Sequence, residues 1–402
     1  MKRIERKEYL DKLIALKDKN IIKVITGVRR CGKSTLMEIF HDYLIEQGVS
    51  YTRIININLE DYDFFELREP ANLHSYIKER LSENEMTYIF IDEIQHCKDF
   101  PDVIDSLYIK KNVDIYITGS NAYMLSSEIA TLISGRYIEI QMLPLSFSEY
   151  VNAADTGISI SDKYLNYIQD SSFPYTLELA GQSKEITAYL EGIYNTIVIK
   201  DIANRKKIQD TMMLESVTRF IIDNIGSPLS TKKIADTMTS AGRKIDVKTI
   251  EKYISGLMES FIIYQAKRYN IKGKQYLKTF EKYYIVDIGL RYMLLGKSGT
   301  DVGHILENVV YLELIRRGYD VYVGQIGDLE VDFVAMNADG KTYFQVAASV
   351  RDEKTLDREL SSLKKINDNY PKYILTLDDD PDADYEGIRR INALNWLLED
   401  NK

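Results

Sequence analysis

Cysteine is nearly absent from this chain of 402 residues: Cys31 and Cys97 are the only two. Two thiols do not make a disulfide framework, which excludes the small folds stapled by several bridges. There is no uninterrupted apolar run of the roughly 18 residues that a membrane helix needs. The opening MKRIERKEYL is charged throughout and has no apolar signal core. The expectation is a cytoplasmic protein with no membrane partner. Positive charge is also lacking. A net charge of −9 argues against a general nucleic-acid coat. What the chain does have is a hydrophobic fraction of 45%, enough for real cores and too much for a disordered polymer. The length suits about two to four domains.

The charge is unevenly spread. Residues 226–275 carry ten Lys/Arg against four Asp/Glu, and residues 301–402 carry twelve basic against twenty-one acidic residues. A basic segment inside an acidic chain implies separate domains with separate partners. Tyrosine is abundant, 30 residues in all, but scattered over every region, so it reads as core and surface filling rather than as a platform for stacked bases.

The densest signal is GVRRCGKST, residues 27–35, directly after the apolar stretch IIKVIT. Gly27-x-x-x-x-Gly32-Lys33-Ser34 matches the Walker A pattern in full. Gly27 and Gly32 permit turns that a Cβ forbids. The loop N–H groups, those of Arg30, Cys31 and Thr35 included, then surround a β-phosphate. The following helix adds its positive end. Lys33 supplies a mobile charge to the β- and γ-phosphates, and Ser34 offers its hydroxyl to Mg²⁺. Cys31 is either an oxidisable thiol that closes the loop or simply a small residue there.

Three further elements follow in order. YIFIDEIQ, residues 88–95, is a buried strand ending in two carboxylates. Asp92 is placed to hold Mg²⁺ and Glu93 to orient or deprotonate the attacking water. DIYITGSNAYML, residues 114–125, is an apolar strand ending in Thr118, Gly119, Ser120 and Asn121. Ligands sit at the carboxyl ends of parallel strands, so Asn121 is a candidate for the γ-phosphate or its water. Capping of the next helix by Ser120 or Asn121 is the alternative, and both can hold. In ISGRYIEIQMLPLS, residues 133–146, Arg136 follows a helix and precedes a strand. It reads as an arginine finger, within the chain or reaching a neighbouring subunit of a homo-oligomer, against the alternative of a surface ion pair.

In this order the elements resemble an AAA-type ATPase. More closely, residues 1–402 are similar to a prokaryotic family of AAA-type proteins with a C-terminal region of unknown function. The likeness is carried by GVRRCGKST, FIDEIQ, ITGSNAYML, SGRYIEIQMLPLSFSEY, LENVVYLELIRRGY and LEVDFVA. It implies an α/β fold: a P-loop NTPase core with five parallel strands near 21–26, 51–58, 88–92, 114–118 and 137–142, and helices on both faces. It also implies ATP and Mg²⁺ as cofactors.

The expected domains are the core at 1–145, a helical lid at 146–205, a winged helix at 206–295 and a degenerate restriction-endonuclease-like domain at 296–402. Arg205 reads as a second phosphate sensor or, more simply, a solvated helix end. In the third segment TRFIIDNIG, SPLSTKKIADTM and DVKTIEKYISGLMES read as three helices, and FIIYQAKRYN and KQYLKTFEKYYIVD as a hairpin. Lys248, Lys252, Lys267, Arg268, Lys272 and Lys274 suit duplex DNA through residues 226–275. Docking of a protein is the equal alternative.

For the last segment, helix 303–317, strands 319–323, 329–335 and 342–348, helix 353–366, strand 372–377 and helix 388–398 resemble the nuclease fold. Glu307, Asp332 and Gln345 stand at its acidic positions, but Ala347 stands where a lysine belongs. The expectation is therefore a domain without nuclease activity that docks a protein partner. DDDPDADYE, residues 378–386, reads as a solvated acidic loop or tail without the spacing of a calcium site.

Overall fold

The computed structural model describes residues 3–122, 135–154, 156–297 and 301–399. The chain divides into two compact units, Met1–Pro144 with Glu259–Phe261, and Leu145–Met258 with Ile262–Lys402.

The first unit is built on β1 (Ile22–Thr26), β2 (Ile54–Asn58), β3 (Thr87–Asp92), β4 (Val113–Gly119) and β5 (Tyr137–Gln141). Their order is β2-β3-β4-β1-β5, and every pairing is parallel. The expected five-stranded parallel core is present, each strand within a few residues of its place. β1, β3 and β4 are buried at every position, as central strands covered on both faces must be. Side-chain alternation distributes the layers. On one face Phe90 and Tyr116 pack on Phe40 of the helix Lys33–Glu46. On the other, Ile89, Ile91, Ile115 and Ile117 join one apolar cluster with Leu73, Ile77, Ile104 and Leu107, which belong to helices Pro70–Lys78 and Phe100–Tyr108. Parallel pairing puts all five C-terminal ends on one edge, where the sheet opens for ligands.

The second unit begins with helices Phe147–Ala153, Ile160–Asp170 and Ser183–Asn195, the last continued by a π-type stretch over Thr196–Asn204. Helices Thr211–Asp223, Thr231–Ser240 and Val247–Glu259 follow. Asp246 accepts from Thr249 N at 2.9 Å, the cap its place before that helix implied. Next come β6 (Ile263–Asn270) and β7 (Gln275–Ile285), antiparallel, with Leu229 bridging Glu281. The remaining strands are β8 (Asp320–Ile326), β9 (Leu329–Asn337), β10 (Gly340–Ala347), β11 (Lys372–Thr376), β12 (Ala383–Tyr385) and β13 (Ile388–Asn392).

The hairpin and these six strands form one mixed sheet, β12-β13-β11-β10-β9-β8-β6-β7. The join is a short parallel pairing of Arg268–Asn270 with Val323–Gln325. The acidic stretch 378–386 departs from a solvated tail: Asp378 is buried and accepts from Val350 N at 2.8 Å, and residues 383–385 form an edge strand. The helix expected at 388–398 opens instead as β13 and becomes helical only over Ala393–Leu398. Among the described residues, no helix is long and apolar enough to cross a membrane.

Candidate functional site

β1 runs straight into the glycine loop, and the helix Lys33–Glu46 leaves it. Gly27 has φ 145° and Gly32 φ 103°, values that L side chains rarely adopt. A Cβ on Gly27 would lie 2.1 Å from the carbonyl oxygen of Met142, so the backbone there is pressed against its neighbour. Arg30 also has positive φ, 68°, and its side chain is exposed. Thr35 is half-buried in the first helical turn. Lys33 is buried and donates through Nζ to the carbonyls of Gly27 and Val28, at 3.0 and 3.3 Å. Its ammonium thus caps the loop from inside, with Glu93 Oε1 3.8 Å away.

The carboxylates at the end of β3 meet this loop. Ser34 Oγ donates to Asp92 Oδ2 at 2.6 Å, and Thr118 Oγ1 donates to Asp92 Oδ1. Burial pushes the Asp92 carboxyl above its ordinary pKa, opposed by these two hydroxyls. Glu93 turns through φ 51°, donates its N–H to Thr118 Oγ1 at 3.0 Å, and accepts from Ser120 Oγ at 2.9 Å and from Gln95 Nε2. Ser34 and Asp92 together present hard oxygens of the kind Mg²⁺ takes. The glycine loop and Lys33 present the donors a polyphosphate takes. Those residues fit the nucleotide and the metal.

Of the sequence candidates, Gly27, Gly32, Lys33, Ser34, Asp92 and Glu93 therefore converge. Asn121 lies at the same sheet edge, just beyond β4, where Thr118 bonds Asp92 and Ser120 bonds Glu93. Their signal was the polar string closing an apolar strand. The helices expected after Asn121 and before Arg136 lie in residues 123–134, outside the described residues.

Arg136 is elsewhere. Its carbonyl accepts from Ile22 N at 2.8 Å, which places it at the start of β1 and β5, the edge opposite the glycine loop. Its guanidinium pairs with Asp105 and lies 5.6 Å from the centroid of the Tyr108 ring. Within one chain it does not reach the loop.

Arg6 carries a role that the sequence did not suggest. It is 3% exposed and donates to Cys31 O at 2.8 Å and Leu143 O at 2.6 Å, bracing the glycine loop from behind. Cys31 is fully buried, and burial pushes its thiol up. A protonated, enclosed thiol is a poor target for oxidation, so its small size accounts for its place.

In the second unit a separate cluster forms. Glu307, Asp332 and Gln345 do come together. Gln345 Oε1 accepts from Asp332 N at 2.6 Å, and Asp332 Oδ2 accepts from Val346 N at 2.8 Å. Lys282 of β7 reaches the same place, 3.0 Å from Glu307 Oε1, 2.8 Å from Glu330 Oε1 and 3.9 Å from Asp332 Oδ1. Burial opposes its charge, but Glu307, Asp332 and Glu330 outweigh burial and raise its pKa.

Comparison with known proteins agrees with the first site. Residues 19–151 match the AAA domain family, and residues 161–301 match a domain of unknown function. An uncharacterized protein of Haemophilus influenzae is 41% identical over 400 residues, covering 98% of this chain and 99% of that protein. An uncharacterized protein of Methanocaldococcus jannaschii is 29% identical over 401 residues, covering 93% and 85% respectively. Among solved structures, a Walker-type ATPase of Pyrococcus abyssi superposes with a TM-score of 0.50 at 16% identity, over 72% of this chain and 95% of that one. At that identity the likeness is one of fold.

Proposed function

The chain belongs to one family with the Haemophilus influenzae protein and carries an AAA domain over residues 19–151, and we infer that it is an ATPase whose hydrolysis is coupled to a macromolecular partner. The observation that carries this reading is the convergence of Lys33, Ser34, Asp92 and Glu93 at one sheet edge. Mg²⁺, when bound, would offset charge on the β- and γ-phosphate oxygens. Lys33 leaves the carbonyls of Gly27 and Val28 for those oxygens. Ser34 and Asp92 would hold the metal, and Thr118 fixes the Asp92 carboxylate in place. Glu93 orients the attacking water and takes its proton.

The partner is duplex DNA or a protein, met through residues 226–275. Three helices followed by a hairpin are the elements of a winged helix. Lys248, Lys252, Lys267, Lys272 and Lys274 are all exposed on it. The helix Val302–Arg316, β8, β9, β10, the helix Glu353–Lys364 and β11 follow one another in the order that supports a restriction-endonuclease-like reading, and β12 and β13 depart from it. A second reading is favoured by one feature. Glu93 is held by Ser120 and Gln95, which keeps it from water until something moves it. Turnover without a partner is then slow, and the protein behaves as an ATP/ADP switch.

Steady-state ATP turnover with and without duplex DNA, beside Glu93→Gln, separates the readings. Turnover that rises with DNA and vanishes in Glu93→Gln supports a DNA-coupled ATPase. Tight ATP binding with negligible turnover, indifferent to DNA, supports the switch and a protein partner. Failure of the protein to bind ATP overturns both.

A further inference from the structure

Gln95 sits in the tight turn Ile94–His96, two residues past Glu93. Glu93 takes a left-handed backbone conformation, φ 51° and ψ 52°, which folds the chain back at the end of β3 and brings the two side chains together. Gln95 Nε2 donates to Glu93 Oε2. Ser120 Oγ donates to the same oxygen at 2.9 Å. Both donors fall on Oε2, and Glu93 Oε1 is left facing Lys33 Nζ at 3.8 Å. On the reading proposed above, Lys33 marks the place of the β- and γ-phosphates. Oε1 is then the carboxylate oxygen turned toward the reacting phosphorus.

The other end of the Gln95 amide has no structural task. Its Oε1 is buried and accepts no hydrogen bond among the described residues. An amide oxygen withdrawn from water without a donor loses its hydration and gains nothing in return, and such groups are uncommon in folded proteins. The neighbouring acceptors are engaged. Asp92 Oδ1 and Oδ2 take Thr118 and Ser34, and Thr118 Oγ1 takes Glu93 N at 3.0 Å. Gln95 Oε1 and Glu93 Oε1 are the two oxygens of this group without a hydrogen-bond donor. They belong to side chains bonded to each other. A water has two protons, and here are two acceptors for them.

We propose that Gln95 is a second water-positioning residue of the ATPase site: Glu93 Oε1 takes one proton of the attacking water, and Gln95 Oε1 accepts a hydrogen bond from the other. The proposal rests on the reading of Glu93 as the base. The water oxygen bonds to the γ-phosphorus. One proton passes to Glu93 Oε1. The other stays on the oxygen, held by Gln95 Oε1, and ends on inorganic phosphate. The bond from the γ-phosphorus to the bridging oxygen breaks, and that oxygen leaves on ADP with its electron pair. Two fixed acceptors set the direction of the attacking lone pair, whereas one acceptor leaves the water free to turn about its hydrogen bond. Ser120 and the Gln95 amide nitrogen hold the base, and the Gln95 amide oxygen holds the nucleophile. Where the hold on Glu93 only delays turnover, loss of Gln95 speeds hydrolysis. Where Gln95 positions water, its loss slows hydrolysis.

The experiment compares the full-length wild type with Gln95→Leu and Ser120→Ala. It measures kcat, KM, ATP affinity, thermal midpoint and the binding of ADP with aluminium fluoride, a mimic of the phosphoryl group in transfer. Gln95→Leu keeps a similar bulk without either polar group. The expected result is a fall in kcat of about 100-fold, with ATP affinity and midpoint little changed and a parallel loss in aluminium fluoride binding. Ser120→Ala removes one donor to Glu93 but leaves Gln95 Oε1, and is expected to lose only about tenfold. If Gln95→Leu fails to fold, Gln95→Met gives the same comparison with an unbranched side chain. Where turnover is too slow to measure, the aluminium fluoride comparison decides alone. Faster turnover in Gln95→Leu makes the residue a restraint and overturns the proposal. Unchanged turnover overturns it too, as does a fall shared with ATP affinity and midpoint. An equal fall in Ser120→Ala assigns the whole effect to the hold on Glu93 and overturns the role of Oε1. Failure of the ATPase reading looks different: the wild type binds ATP but neither hydrolyses it nor binds ADP with aluminium fluoride, or Glu93→Gln keeps full turnover. Either result removes the proposal along with that reading.

Discussion

Ser34 Oγ and Asp92 Oδ2 are 2.6 Å apart, a bond that joins the first turn after the glycine loop to the end of β3. Burial raises the Asp92 pKa, and the sign of the consequence can be worked out. A carboxyl raised by the fold favours its protonated form there, so its contribution to stability declines as pH rises through the folded pKa. Metal binding runs the other way, because only the carboxylate ligates. Mg²⁺-dependent nucleotide affinity is thus expected to strengthen with pH, on the alkaline side of the ordinary carboxylate range. Asp92→Asn should weaken it and flatten that dependence. Titration of a fluorescent ATP analogue from pH ~4 to ~8, with and without Mg²⁺, checks this. An unchanged pH slope in Asp92→Asn removes Asp92 from the metal site.

Arg136 lies at the sheet edge opposite the loop, paired with Asp105, so any catalytic part it has must be played toward another copy of the chain. A mixing experiment tests that. Lys33→Ala lacks a working site but keeps its arginine, and Arg136→Ala keeps the site. Each alone should be inactive, with a loss of about 10³-fold for a missing finger. Mixed, they should recover part of the wild-type turnover, and wild-type specific activity should rise with protein concentration. Arg136→Ala with full activity at every concentration returns the residue to its ion pair with Asp105.

What could be read from the sequence was what is local. The glycine loop is nine consecutive residues, and the strand ends at Asp92 and Gly119 close unbroken apolar runs, so loop, carboxylates and strands fell where expected. What escaped was brought in by tertiary structure. Arg6 lies 25 residues before the carbonyl it braces, in a segment that reads only as charged. The β6–β7 hairpin looked like the end of one domain, because its three-residue pairing with β8 leaves no periodicity of its own. Lys282 was hidden for the same reason: in EKYYIVD it is one lysine in an apolar strand, and its carboxylates come from residues 307–332. Thr118 and Ser120 were not singled out, because a strand end gives the polar string but not which of its side chains bond Asp92 and Glu93.

Arg6 suggests a structural test. Its two donors satisfy Cys31 O and Leu143 O away from water. Arg6→Ala leaves both carbonyls without that partner, at a cost of about 1–3 kcal/mol, and loosens the glycine loop. A lower unfolding midpoint and weaker ATP binding should appear together. Lys at this position brings one point charge instead of a planar fork, so Arg6→Lys should recover little of either. A variant with normal stability and normal ATP affinity contradicts the brace.

The buried pair of Lys23 and Asp114 offers the last prediction. Both side chains are almost fully enclosed, and burial drives both toward neutrality, lowering the Lys23 pKa and raising that of Asp114. Their surroundings differ. Lys23 has one further acceptor, Lys19 O at 2.9 Å. Asp114 also takes Tyr116 OH at 2.8 Å and Asp18 N at 2.9 Å. Removing Asp114 therefore abandons three donors, one of them charged, whereas removing Lys23 leaves a carboxyl that can protonate and keep two of its bonds. Asp114→Ala should cost the full penalty for a broken buried pair, about 3–5 kcal/mol, and Lys23→Met clearly less. The double variant Lys23→Met with Asp114→Leu should be more stable than Asp114→Ala alone, because no charge is left without a partner. Urea unfolding of the four proteins decides it, and equal costs for the two single variants would falsify the asymmetry.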